Sequence, residues 1–188
     1  MLRSVIAAAL LPLLAETAAA QNDLPERMEK ARAAAGDFGA RLLAALQKAM
    51  AEGGPVNAIG VCNTIAPAIA AEKSAAAQMS IARTSLKLRQ PKNAPDAWEL
   101  RQLQNFEARK AAGENPTAIE VGEFTEKDGK PVFRYMKAIP TGPLCLNCHG
   151  AQLAPEVAAK LQALYPEDRA TGFAAGDLRG AFTITAPR

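Results

Sequence analysis

The segment "PLCLNCHG", Pro143 to Gly150, constrains this chain more than any other. Cys-x-x-Cys-His is the attachment signature of covalently bound haem. Two thiols, Cys145 and Cys148, can bond the haem vinyl groups, and the adjacent His149 is then placed under the iron as an axial ligand. A chain built around such a motif has to fold as a pocket for a flat, largely apolar group. His149 is also the sole histidine of the 188 residues, so a second histidine ligand is excluded.

Three other chemistries use the same residue types. Cys62, Cys145, Cys148 and His149 make a formal Cys₃His zinc set. Cys148 and His149 are neighbours, however, and would have to turn inward together. A thioredoxin-like redox pair wants the motif at the end of a strand opening a helix within a βαβ pattern, which is missing here. A disulfide between Cys145 and Cys148 closes a tiny loop and stabilises little. Haem leads on the residues alone.

The N-terminus carries an export signature. Arg3 gives a basic start, an apolar run follows from Val5 to Ala15, and Ala18-Ala19-Ala20 makes a small-x-small cleavage site before Gln21. The run is too short to span a bilayer, where about 20 residues are needed. We expect residues 1–20 to be a cleaved signal peptide, and no other segment reads as a membrane span. The mature protein is then soluble and periplasmic or otherwise exported, which suits a covalent haem, joined outside the cytoplasm in bacteria. The formal charge of +3 gives no case for nucleic acid.

Periodicity divides the remainder, 21–188, into one domain. Leu24 to Ala51 reads as an amphipathic helix with Met28, Ala31, Ala35, Phe38, Leu42 and Ala45 on one face. Gly53-Gly54-Pro55 stops it and starts a second helix to Lys73, with Ile59, Cys62, Ala66 and Ile69 on its apolar face. Pro67 should kink that helix one turn beyond Cys62. "SIARTSLKLRQ" alternates as a strand, with Arg83, Ser85, Lys87 and Arg89 on one side. A helix through Trp98, Leu103 and Phe106 follows, then a hairpin turning at Asp128-Gly129. Pro155 to Leu164 is a short helix, and "RGAFTIT" supplies a final strand. The order implies an α+β fold with a small antiparallel sheet.

The iron's other face has several candidate ligands: Met28, Met50, Met79, Met136, Cys62, a lysine or water. Methionine opposite histidine is the usual cytochrome c arrangement, and Met136, on a strand shortly before Cys145, is the best-placed methionine. It reads equally as core filler. Cys62 is the odd thiol of an exported protein and sits on an apolar helix face, where it is either an inert buried cysteine or the ligand.

Four blocks carry a family resemblance: "AIGVCNTIAPAIAAEKS", "ARTSLKLRQPKNAPDAWE", "FRYMKAIPTGPLCLNCHG" and "YPEDRATGFAAGDLRGAFTI". In this order they resemble a family of exported c-type haem proteins with a PAS-like fold, found alone or as the sensor part of larger signalling proteins. The resemblance implies a PAS-like sheet flanked by helices and one haem c held between histidine and cysteine. It therefore implies His149 and Cys62 as the axial ligands. Arg83, at the start of its block, is the expected partner of a haem propionate, since arginine binds carboxylates bidentately. Lys87 reads as solvated, and Trp98 and Tyr135 as packing residues within reach of the porphyrin.

The expected function is a redox role: one-electron transfer to a partner protein, or redox or gas sensing through a signalling partner. A haem enzyme such as a peroxidase is the alternative. It needs a distal acid/base group, and without a spare histidine that falls to a carboxylate such as Glu72 or Asp177.

Overall fold

The computed structural model describes residues 11–188, with side chains from Asp23 onward, so Met1–Leu10 of the expected leader and the side chains of its cleavage site lie outside the described residues. A long helix, α1 (Leu11–Gly60), is broken within by Gly53 and Gly54. Gly54 has φ 66, the left-handed region that glycine enters without a Cβ penalty. The two arms separated there correspond to the two helices read from the sequence.

The second arm runs into a π-turn, Val61–Ile65, and then α2 (Ala66–Ala77). Pro67 disturbs this helix, as its lack of a backbone N–H requires. The disturbance differs from the expected kink beyond Cys62. It is a widened turn containing Cys62, closed by the Ala66 N–H on the Val61 carbonyl. Thr64 spends its hydroxyl on the Gly60 carbonyl at 2.9 Å.

Four antiparallel strands follow, β1 (Ser80–Thr84), β2 (Glu120–Lys127), β3 (Lys130–Pro140) and β4 (Leu178–Pro187), in the order β1-β4-β3-β2. The fold is α+β, as the sequence indicates. α1 covers one face through Ala31, Ala35 and Phe38, which bury against Ile81, Phe133, Tyr135 and Ile184. α3 (Ala97–Ala111) covers the other, where Trp98, Leu103 and Phe106 pack with Met136, Ala138 and Ala181. The period-2 alternation of β3 explains the division: Phe133 and Tyr135 face α1, while Met136 and Ala138 face α3. A reciprocal capping box between Asp96 and Glu99 starts α3. The β2–β3 turn has φ of 53 at Asp128 and 74 at Gly129, the pair of positive values a type I′ hairpin needs.

One expectation changes. The strand read over Ser80–Gln90 stops at Thr84, and the residues beyond it form a loop that wraps Ser85 and Arg89 inward to 7% exposure each. The helical run Asp23–Ala77 is long and apolar enough to cross a membrane by length and composition alone. In this fold its Ala31, Ala35 and Phe38 are core residues against the sheet.

Candidate functional site

A cavity of about 450 Å³ opens between α1, the ends of β1, β3 and β4, and the Cys-x-x-Cys-His segment. That is within the range of small-molecule and cofactor pockets, roughly 300–1,000 Å³. Its walls are largely aliphatic, with Leu42, Leu46, Ile59, Leu88, Ile139 and Leu144 among them. Cys62, Arg83, Cys145, Cys148 and His149 all line it. One space thus gathers these five site residues, drawn from three separate stretches of chain.

The motif sits where β3 leaves the sheet. A 3₁₀ turn at Pro143–Cys145 passes into a single helical turn, α4 (Leu146–His149), which puts Cys145 and Cys148 on successive levels beside His149. Gly150 closes the turn against the Leu146 carbonyl, and a Cβ there would lie 2.6 Å from that oxygen. Two backbone bonds then tie the motif to the segment before β4: Phe173 N–H to the His149 carbonyl and Gly172 N–H to the Gly150 carbonyl, both 3.0 Å. α5 (Pro155–Leu164) packs Val157 and Leu161 beneath Cys148.

His149 Nδ1 lies 2.7 Å from the Ala170 carbonyl. A carbonyl only accepts, so Nδ1 carries the proton and Nε2 presents its lone pair. Arg179 Nε donates to that Nε2 at 3.3 Å. Burial, then the charges of Arg179 and Arg89, depress the His149 pKa to about 3, so the imidazole is neutral. This is the protonation state in which histidine is a metal ligand.

Three arginines face the cavity and differ in their pairing. Arg89 is bound to Asp168 at 2.9 Å, with side chains 7% and 10% exposed. Arg83 and Arg179 make no salt bridge among the described residues. Burial lowers the pKa of both, and for Arg179, at about 10, the nearby charges of Arg89 and Arg83 add to it. Arg83 rests near the Phe38 ring, 5.7 Å from its centroid. Two partly buried cations without a carboxylate fit a ligand that brings its own acidic groups.

Arg179 escaped the sequence reading, and β-sheet geometry explains why. Ile139 pairs with Gly180, but Pro140 pairs with Leu178, so Arg179 is the extra residue of a bulge. A bulge re-aims one side chain out of the alternating pattern. Gly180 has φ 154, and a Cβ on it would lie 2.3 Å from the Thr84 carbonyl, so the bulge depends on glycine. Arg179 Nη1 is steadied by Ser85 Oγ at 3.2 Å and the Lys87 carbonyl at 3.3 Å. The Arg-Gly pair at the start of a strand was the available signal.

The other candidates fall elsewhere. Met136 is 0% exposed in the α3-side core and away from the cavity, so its reading as core filler holds and its reading as best-placed methionine is corrected. Met50 is the methionine among the cavity-lining residues. Lys87 is exposed, over the Phe173 ring at 4.8 Å. Trp98 and Tyr135 are core residues that do not reach the cavity, with hydrogen bonds to Glu123 and Glu120. Glu72 pairs with Arg41 and Lys73, Asp177 with Lys110, and neither lines the cavity. Among the described residues no cluster of three or more His, Cys, Asp or Glu could hold a metal ion. All three cysteines are free thiols.

A family model described as Tll0287-like matches residues 5–187. The fold is also similar to the crystal structure of the cyanobacterial haem protein Tll0287, with a TM-score of 0.66 at 24% identity. The match covers 87% of this chain and 96% of that one. No curated protein matches the chain.

Proposed function

The chain belongs to the Tll0287-like family, and from that membership we propose that it is an exported redox protein carrying one covalently attached haem. The observation that carries this reading is the single cavity lined by Cys62, Cys145, Cys148 and His149 together with the unpaired Arg83 and Arg179. These residues fit the group. The neutral His149 directs Nε2 inward, two thiols flank it at attachment spacing, the walls are apolar, and two cations lack carboxylates. A solved haem protein of the same fold adds support.

Bound there, haem supplies a one-electron couple. Cys145 and Cys148 would anchor it by thioethers. His149 Nε2, once released from its bond with Arg179, and Cys62 Sγ, from the π-turn, would hold the iron. Arg83 and the freed Arg179 would bind the propionates. An anionic sulfur donor favours the oxidised iron and lowers the reduction potential relative to methionine. A sulfur ligand held less firmly by reduced iron would let the Cys62 side of the cavity admit a small gas molecule. The protein then either relays electrons to a docking partner or reports its redox state to one.

A peroxidase reading is disfavoured because no Asp or Glu is among the cavity-lining residues, so a distal acid/base group is not at hand. The test of the proposal is intact mass. Protein exported from a host with c-type maturation machinery should weigh residues 21–188 plus one haem, and acid denaturation should not release it. A polypeptide mass without haem, with the machinery present, would sink the reading.

A further inference from the structure

Arg89, Asp168 and Ala170 close a hydrogen-bonded ring around His149. The imidazole Nδ1–H donates to the Ala170 carbonyl at 2.7 Å. The Ala170 N–H donates to Asp168 Oδ1 at 2.8 Å. Asp168 Oδ2 accepts from Arg89 Nε at 3.0 Å. Arg89 Nη2 then donates to the Cys148 carbonyl, the residue before His149, and reaches the Ala170 carbonyl at 3.4 Å. Ala170 is fully buried, and the arginine and aspartate are nearly so.

Such closure has two physical effects. It fixes the tautomer and rotation of the imidazole, since the Ala170 carbonyl that accepts Nδ1–H is reached by Arg89 and the N–H of the same residue is held by Asp168. It also gives the Arg89 charge a carboxylate partner, which Arg83 and Arg179 lack among the described residues. A buried arginine–carboxylate pair is weak evidence for stability in itself, because desolvation offsets the attraction. Its placement between two backbone segments that both touch His149 gives it a different use.

We infer that Arg89 and Asp168 are positioning residues that lock the His149 ring for metal ligation. The inference rests on the haem reading above for its purpose, but the lock is a property of the polypeptide. Breaking it should loosen the imidazole without affecting thioether attachment, since Cys145 and Cys148 are untouched.

The experiment follows the His149 Nδ1 proton by ¹⁵N-edited NMR, which one histidine per chain makes unambiguous, in the diamagnetic carbon monoxide form. Asp168→Asn should speed its exchange with solvent at least tenfold. Arg89→Lys keeps the charge and one bond to Asp168 but cannot span both segments, so it should speed exchange several-fold. In both variants the mass should be unchanged apart from the substitution, and the ferric low-spin EPR signal should split into more than one species. Exchange within twofold of the parent in both variants, with a single EPR species, would overturn the lock. A failure of the haem reading shows separately, as a parent protein without haem mass or spectrum. The proton exchange is still measurable in that protein, and the same comparison still decides the lock.

Discussion

His149 and Cys62 face one cavity from walls of opposite construction. On the His149 side the motif is stitched to the segment before β4 by two backbone bonds, and the ring nitrogen, its Ala170 acceptor and the N–H of Ala170 are all hydrogen-bonded. The Cys62 wall has no counterpart to this ring among the described residues. It is a π-turn without a side-chain cap, between a glycine break and a proline, and the Ile65 that ends it is 44% exposed. π-turns cluster at functional sites because one residue more or less per turn re-aims a side chain. Under the proposed function this difference would suit a histidine that stays on the iron and a cysteine that leaves it, with the hydrogen-bonded wall behind the first and the π-turn behind the second.

The strongest way to break this contrast is Cys62→Ser. Haem should remain attached and His149 ligated, while the low-spin thiolate signature disappears from the ferric EPR spectrum. The reduction potential should rise by a sizeable fraction of the roughly 0.8 V that axial ligands span. A thiolate signature that survives in this variant would remove Cys62 from the iron. Pro67→Ala sharpens the contrast with a smaller effect. Restoring the N–H should favour a regular turn and stabilise the protein by on the order of 1 kcal/mol, part of the ~3 kcal/mol an interior proline costs a helix. Urea unfolding reads that gain. The thiolate EPR signal should shift or broaden, while His149 proton exchange stays at the parent rate, since only the Cys62 wall is altered. Met136→Leu is the smallest. A volume-conserving core swap costs less than about 1.5 kcal/mol, and the visible spectrum should not move. Loss of ligation in Met136→Leu with retention in Cys62→Ser would reverse the assignment of the two walls.

Much of the frame was legible because it obeys local rules. The hairpin at Asp128-Gly129 and the helix Pro155–Leu164 each follow from turn chemistry or periodicity and stand where the sequence places them. The attachment motif was legible as chemistry. What the sequence hid were departures from period. The run after Thr84 keeps a strand's alternation, but its Ser85 hydroxyl bonds the Lys87 and Arg179 backbone, so a tertiary bond replaces the ladder. Arg179 hides inside a plausible strand because a bulge is a relation between two strands. Met136 was misplaced because closeness in sequence to Cys145 says nothing about which sheet face it occupies. The Arg89–Asp168 pair joins residues 79 apart, beyond any local pattern.

The sheet order also sets a sequence in time. β4, the last strand, lies between β1 and β3, so it completes both pairings of the sheet's middle. It brings Arg179 and Phe182 to the cavity, and Ala170 arrives on the segment just before it. Strand pairing across such separations is slow relative to local helices and hairpins. Before β4 inserts, α1 and the β2–β3 hairpin can form from contacts near in sequence, whereas β1 has no strand partner until β4 arrives. If haem is attached as proposed, the interval before β4 inserts would give a maturation enzyme its freest access to Cys145 and Cys148, which are only half-buried even in the finished fold.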